Sequence, residues 1–182
     1  MEYQQKHLAI ITDPHIKVDN KYFVYSEGQQ VVVAKDSSNN PIRGAFIRDD
    51  RGINEFVGKC WPNASVWVDF LNENAGQFWS DLYQYDKFKG TSKLFAYWID
   101  MNEPSVFSGD ELTMPKNAVH LTVNNKRYLH KDVHNAYGTL MAKMSHRGIV
   151  DREVSKNVRP FMLSRAVFFG SQKYGAMWTG DN

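Results

Sequence analysis

The chain has 182 residues, of which 42% are apolar, and a formal net charge of +2, which is the composition of a globular domain with one substantial core. Scattered Lys and Arg residues argue against a nucleic-acid surface, and no apolar stretch reaches the roughly 20 residues that span a bilayer. The first residues lack the basic start and apolar stretch of a secretory signal, and the lone Cys60 excludes an intramolecular disulfide.

Short apolar runs bounded by polar or breaker residues predict strands that are buried on both faces. Four such runs occur along the chain: Leu8 to Thr12, Leu94 to Ile99, Pro160 to Leu163 and Ala176 to Thr179.

Between these runs, two segments have apolar residues at helical spacing, which predicts helices over about 75–88 and 131–147. Gly148 is predicted to lie just beyond the second helix, as the glycine that ends it. The segment 36–40 reads as a loop tip, and 101–129 reads as a long loop without a clean period. This alternation of strands and helices predicts parallel β/α units.

Each predicted strand leads into a polar residue: Asp13, Asp100, Arg165 or Asp181. In a parallel barrel the carboxyl ends of the strands meet on one face, where catalytic residues lie. Glycoside hydrolysis needs one carboxylate to attack the anomeric carbon and one acid to protonate the leaving oxygen, and Asp100 and Asp181 fit this pair. On spacing alone, a helix cap is the favoured interpretation of Asp100, and a structural ion pair explains Arg165 as simply as a role in the site does.

The segment WIDMNEP (98–104) resembles the nucleophile signature of glycoside hydrolase family 31, and RPFMLSRAVFFGSQKYGAMWTGDN (159–182) resembles the family's acid/base region. The resemblance implies that Asp100 is the nucleophile, that Asp181 is the general acid/base, and that Arg165 binds substrate hydroxyls. The segments ITDPHIK and KCWPNASVWVDF extend it over nearly the whole chain. Further residues that it places around the sugar are Asp13, Trp61, Trp98, Met101 and Trp178.

The implied fold is α/β, a partial (β/α)8 barrel that holds about the third to sixth strands, with residues 1–182 as one incomplete catalytic barrel. A complete barrel takes about 250 residues, so this chain is too short to close one. We therefore expect the chain alone to be poorly active. A truncated gene model, a fragment and a chain that needs a partner are all open, and the stop after WTGDN favours truncation.

The implied activity is that of a retaining exo-acting α-glucosidase without a metal or cofactor. The details DPHIK, CWP-x-x-S and GSQKYGAMWTGDN, and also HKDVHNAYG, resemble the glucosidase II branch. This resemblance implies terminal glucose of N-glycans as substrate, the endoplasmic reticulum lumen as location, and a noncatalytic β subunit as partner. Two alternatives stay open: a fragment that only binds carbohydrate or a partner, and another family activity, such as an α-xylosidase or an α-glucan lyase.

Three further signals are weaker. His130, Asp132 and His134 have the spacing of a metal site on a helix, but no other ligand cluster accompanies them, so a polar helix start is the favoured interpretation. Glu103 is expected to orient the loop beside Asp100 or to raise the local negative potential. Asn63 begins a glycosylation sequon within a segment that is expected to line the pocket.

Overall fold

A computed structural model describes residues 6–153 and 159–181. In chain order its elements are β1 (Leu8–Thr12), β2 (His15–Lys17), α1 (Phe23–Gly28), β3 (Val32–Lys35), β4 (Pro41–Arg43), β5 (Gly58–Cys60), β6 (Asn63–Trp67), α2 (Glu73–Asp81), β7 (Phe95–Ile99), β8 (Val119–Leu121), β9 (Arg127–Leu129), α3 (His130–Asp151), β10 (Met162–Ser164), a 3-10 turn (Ser171–Lys173) and β11 (Ala176–Met177).

The central sheet consists of four parallel strands in the order β1-β7-β10-β11. All four strands predicted from apolar runs are present; the first matches its predicted boundaries and the other three differ by one or two residues. Thr12 and Ser164 both pair with Ile99, and Ser164 also pairs with Met177, so the carboxyl ends of the strands lie level. Within the described residues the sheet does not close, and the predicted partial (β/α)8 architecture is confirmed.

The two long helices pack against one another and cover one face of the sheet. Trp79 of α2 donates a hydrogen bond from Nε1 to Oγ of Ser145 in α3 at 2.8 Å. Tyr97 and Ile99 of β7 are buried on the covered face, whereas Trp98 points to the opposite face, because side chains alternate along a strand. That opposite face is the one that a complete barrel would enclose.

The predicted helix over 75–88 is too long at its carboxyl end. The helix begins after Asn72, whose side chain accepts hydrogen bonds from the amides of Asn74 and Ala75, and it ends at Asp81. Hydrogen-bonded turns follow, because Tyr83 leaves the helix axis to pack edge-on against Tyr97, with ring centroids 5.2 Å apart.

The prediction that Gly148 lies beyond the second helix is wrong, because α3 continues to Asp151. A Cβ at position 148 would lie 2.4 Å from the carbonyl oxygen of Ser80, so glycine is needed for the close approach of α3 to α2. The residue marks a packing contact between two helices and does not terminate one.

The long connections contain short antiparallel strands that the sequence patterns do not reveal. Strands β2, β6 and β5 form one small sheet, and β3–β4 and β8–β9 form two hairpins. The β8–β9 hairpin lies within 101–129, which was predicted as a long loop. Three-residue strands are too short to show an alternating pattern, so their pairing depends on tertiary contacts. In the part of the chain that the structure describes, no helix is long and apolar enough to cross a membrane.

Candidate active site

The carboxyl end of the parallel sheet brings Asp13, Asp100 and Arg165 to one face. Each of the three lies two positions after a residue of the same cross-strand row of the sheet. Because side chains alternate along a strand, all three side chains point to the same side of the sheet. Asp13 comes directly after β1, Asp100 after β7 and Arg165 after β10. The convergence predicted from the sequence is therefore present for these three residues.

Arg165 is the centre of the cluster. Its Nη1 lies 3.0 Å from Oδ1 of Asp100, its Nε donates to Oε1 of Glu103 at 2.7 Å, and its Nη2 donates to Oε2 of Glu103 at 3.2 Å. Nη2 also contacts Sδ of Met101 at 3.2 Å. The bidentate bond to Glu103 fixes the plane of the guanidinium, so that a further nitrogen faces Asp100.

The two predicted catalytic carboxylates share one nitrogen of this guanidinium. Asp181 places Oδ2 3.9 Å from Nη1 of Arg165, the same atom that binds Asp100. The two carboxylate oxygens are therefore at most about 7 Å apart, which admits the separation of about 5–5.5 Å found in retaining glycosidases. Their surroundings differ, because the side chain of Asp100 is 10% exposed and that of Asp181 is 86% exposed.

Asp13 occupies an electrostatically unfavourable place beside this pair. Burial and the negative charges of Asp100 and Glu103 raise its pKa, the charge of Arg165 opposes them, and the net result is a pKa of about 7. Its Oδ1 is buried and has no hydrogen-bond partner among the described residues. His15 lies 3.6 Å away, but burial lowers the pKa of His15 to about 4, so near pH 7 this histidine is neutral.

The predicted aromatic residues fall into two groups. Trp98 and Trp178 lie edge-to-face, with ring centroids 5.9 Å apart, on the open face of the sheet. Trp61 lies in the turn between β5 and β6, is 69% exposed, and contacts Phe107 edge-on at 4.7 Å. Its described ring contact is therefore with the loop after β7 and not with the other two tryptophans.

Met101, the remaining predicted substrate contact, is 6% exposed and has a positive φ of 56°. This left-handed conformation is uncommon for a residue with a side chain. It turns the chain sharply after Asp100, whose Oδ1 accepts a hydrogen bond from the Met101 amide at 2.8 Å.

Sequence reasoning overlooked Asn102, which is fully buried behind the site. Its Nδ2 donates to Oγ of Ser164 at 2.9 Å, its Oδ1 accepts from the Ala166 amide at 3.1 Å, and Nδ2 also reaches the carbonyl of Gly138 in α3 at 3.3 Å. Asn102 thereby joins the loop after β7 to β10 and α3. Its place inside WIDMNEP, next to a buried strand, was the available signal.

Glu103 has a more specific place than an orienting residue of the loop. Burial raises its pKa, but hydrogen bonds from Arg165 and from Ser105 outweigh this effect and leave the pKa below its ordinary value. Glu103 therefore remains an anionic anchor for Arg165.

A family model for the TIM-barrel domain of glycosyl hydrolases family 31 matches residues 1–182. The chain belongs to glycosyl hydrolase family 31. Neutral alpha-glucosidase AB of Dictyostelium discoideum is 41% identical to this family 31 chain over 179 residues, which are 98% of the chain and 17% of that relative. A probable glucan 1,3-alpha-glucosidase of Arabidopsis thaliana is 41% identical over 175 residues, 96% of the chain and 17% of the relative.

Among solved structures, the glucosidase II alpha subunit superimposes with a TM-score of 0.84 at 41% identity, covering 100% of this chain and 18% of that one. The same coverage and score are found for its heterodimeric complex with the binding domain of a regulatory subunit. The family 31 chain thus spans less than a fifth of the length of these relatives. Across residues 6–153 and 159–181, no group of three or more His, Cys, Asp or Glu side chains is placed to hold a metal ion.

Proposed function

We propose that this chain contributes the nucleophile and the acid/base of a retaining, exo-acting α-glucosidase. The observation that carries the proposal is the sharing of Nη1 of Arg165 by Asp100 and Asp181, which draws carboxylates from two different β/α units toward one place. Membership of family 31 and the names of the relatives supply the reaction class.

In the first half of the proposed reaction, Asp100 attacks the anomeric carbon of a terminal glucose while Asp181 gives its proton to the glycosidic oxygen. The glycosidic bond breaks, the shortened glycan leaves, and a glucosyl ester forms on Asp100. In the second half, Asp181 takes a proton from water, the water oxygen attacks the anomeric carbon, and glucose is released from Asp100.

The contrast between the two carboxylates supports these roles. Asp100 is buried, accepts a hydrogen bond from the Met101 amide and lies 3.0 Å from the guanidinium of Arg165, so its carboxylate is held in the fixed orientation that a nucleophile needs. Asp181 is largely exposed and can meet both a leaving group and an incoming water. We assign Arg165, Met101 and Asp13 to substrate binding. We assign the indoles of Trp61, Trp98 and Trp178 to the same role, because aromatic faces pack against the C–H faces of sugars.

We further propose that the substrate is a terminal α-linked glucose on an N-glycan, hydrolysed in the endoplasmic reticulum lumen with a regulatory subunit as partner. The similar structures include an alpha3-Glc2-bound glucosidase II alpha subunit and a heterodimeric glucosidase II complex, and they motivate this narrower assignment.

The test uses a chimera, because the chain spans a small part of its relatives. The matching 179-residue segment of the Dictyostelium enzyme is replaced by this chain, and release of glucose from an α1,3-linked glucose disaccharide is measured. We expect activity in the chimera and a loss of at least about 10³-fold in Asp100→Ala and in Asp181→Ala, as is usual when a reacting group is removed.

The matched control is Asp50→Asn, which neutralises an exposed carboxylate away from the site and should leave the rate unchanged. Circular dichroism of each variant separates lost chemistry from lost folding. Retention of wild-type rates by a folded Asp100→Ala chimera would refute the assignment of the nucleophile.

A second candidate function, carbohydrate binding without turnover, is favoured by the exposure of Trp98 on the open face of the sheet and of Trp61 in the turn between β5 and β6. Titration of the 182-residue chain with glucose, followed by tryptophan fluorescence, tests it. Saturable quenching of tryptophan fluorescence by glucose, together with a chimera that has no hydrolytic activity, would support binding without turnover. A fluorescence signal that does not change with glucose would exclude it.

A further inference from the structure

Outside the candidate site, four ionisable side chains form a continuous line of hydrogen bonds. Oδ1 of Asp69, which follows β6, lies 2.6 Å from Nδ1 of His120 in β8. Nε2 of His120 lies 2.9 Å from Nδ1 of His130, and Nε2 of His130 lies 2.7 Å from Nδ1 of His134, both in α3. We call these residues the histidine relay.

Asp69, at the inner end of the histidine relay, determines the direction in which the hydrogen bonds are donated. Oδ1 of Asp69 also accepts the Leu71 amide at 3.1 Å, and Oδ2 accepts the Leu121 amide at 2.8 Å, so the group acts as an acceptor on both oxygens. Nδ1 of His120 must therefore carry the proton that faces Asp69. If His120 is neutral, its Nε2 is an acceptor, and the next ring must donate from Nδ1.

The same step repeats along the line, because each neutral imidazole has one donor and one acceptor nitrogen. His120 and His130 are 0% and 1% exposed, which makes a cationic ring at either place costly. Burial, together with the neighbouring histidines, lowers the pKa of His130 to about 3. The backbone amides of Leu71 and Leu121 already donate hydrogen bonds to the carboxylate of Asp69, so a cationic His120 is not needed beside it.

We propose that the histidine relay is a one-way proton relay in which all three imidazoles are neutral Nδ1–H tautomers and the first proton is taken up at Nε2 of His134. Every inner nitrogen is already a hydrogen-bond donor or acceptor within the line. The outer Nε2 alone has a lone pair that the relay leaves unused.

His134 lies at a small cavity whose charges decide how easily it is protonated. Burial lowers the pKa of His134, the negative charges of Glu103 and Glu111 raise it, and Lys116 lowers it. The ionisable groups that face it come from the loop after β7, the segment that follows it and α3 itself. They are Glu103, Glu111, Lys116, His130 and Lys131.

A proton taken up at the outer end can be passed inward without movement of any side chain. A proton binds Nε2 of His134, its Nδ1 proton passes to Nε2 of His130, and that ring's Nδ1 proton passes to Nε2 of His120. The Nδ1 proton of His120 then neutralises Asp69. One proton has entered, all three rings have become Nε2–H tautomers, and one carboxylate has become a carboxylic acid.

The relay is connected electrostatically to the candidate site. Glu103, which holds Arg165 through two hydrogen bonds, is one of the two carboxylates whose charge favours a proton on His134. The first step of proton uptake therefore places a positive charge on His134, near the anchor of Arg165, before the proton passes inward.

The test is long-range ¹H–¹⁵N correlation NMR of the 182-residue chain labelled with [¹⁵N]histidine. Single His→Gln variants assign the six histidines. At pH 7.5 we expect a protonated Nδ1 and an unprotonated Nε2 for His120, His130 and His134, the reverse of the tautomer that free histidine prefers. On acidification, Nε2 of His134 should titrate before the two inner rings respond.

Two variants extend the test. In His134→Gln, the inner rings should keep their Nδ1–H tautomers, because Asp69 sets the direction from the other end. In Glu103→Gln, the pKa of His134 should fall, because one of its two favourable charges is lost. His146→Gln, on the same helix but outside the relay, is the matched control for both.

An Nε2–H signature at pH 7.5 for any of the three rings in the wild-type chain would overturn the proposal. A doubly protonated His120 would do the same, because it reverses the line and makes a buried ion pair with Asp69. Protonation of His120 or His130 ahead of His134 would exclude His134 as the point of entry.

Discussion

Replacing Asp13 with asparagine removes the carboxyl group whose pKa is raised to about 7. Asparagine has nearly the same shape and carries no charge, so the packing around position 13 is retained. The folded wild-type chain holds a proton on Asp13 between pH 4 and pH 7, whereas the unfolded chain releases it near 3.8. Over this range the folded state binds more protons, so this group makes the wild-type chain less stable as pH rises.

The size of the effect follows from the pKa difference. A rise from 3.8 to about 7, at about 1.4 kcal/mol per unit, has a full value of about 4 kcal/mol. The side chain is 16% exposed, and screening by solvent reduces the expected effect to roughly 2 kcal/mol. Relative to wild type, Asp13→Asn should therefore gain roughly 2 kcal/mol in free energy of unfolding between pH 4 and pH 8.

Urea unfolding followed by far-UV circular dichroism at half-unit pH intervals measures this difference. Subtracting the wild-type curve from the variant curve removes the contributions of the histidines, which are common to both chains. Asp50→Asn, at an exposed position, should give a flat difference curve. A flat curve for Asp13→Asn as well would refute the reasoning that burial and the charge of Asp100 act on this carboxyl.

Three further changes test the contacts behind the site. Arg165→Met should lower the free energy of unfolding by about 2–3 kcal/mol at pH 7 in the same urea assay, because it leaves Asp100 buried beside Glu103 without a cation. Asn102→Ala should cost about 2–3 kcal/mol through several unsatisfied buried groups and should abolish hydrolysis in the chimera, and wild-type activity would disprove its positioning role. Gly148→Ala should cost about 2–3 kcal/mol in a thermal melt, because its Cβ would overlap the carbonyl of Ser80, and an unchanged melting temperature would contradict that contact.

The four parallel strands were predictable because their signal is local. A strand buried on both faces must be apolar throughout, and the run stops where the chain reaches the functional face of the sheet. Asp13, Asp100 and Arg165 are conspicuous because they directly follow such runs. The same logic extends to Asp181, although three residues separate it from the end of β11.

The remaining features depend on contacts that no local pattern encodes. The bidentate bond between Arg165 and Glu103 joins residues 62 positions apart. The histidine relay joins a loop, a hairpin and a helix, and only the spacing of its two members in α3, His130 and His134, was visible in sequence. Gly148 has the sequence signature of a helix end, and the packing of α3 on α2 overrides it.

The balance of charge in the site suggests how it favours the reaction that we propose. The guanidinium of Arg165 is tied to Glu103 by two hydrogen bonds and reaches Asp100 with its remaining nitrogen, so one cation faces several carboxylates. Asp13, with a pKa of about 7, adds further negative charge near neutral pH. Glycoside hydrolysis passes through a transition state that resembles an oxocarbenium ion, and an excess of fixed negative charge stabilises it more than the neutral substrate. We infer that a buried Asp13 carboxylate with an unbonded oxygen, which destabilises the fold, is tolerated because it strengthens this field.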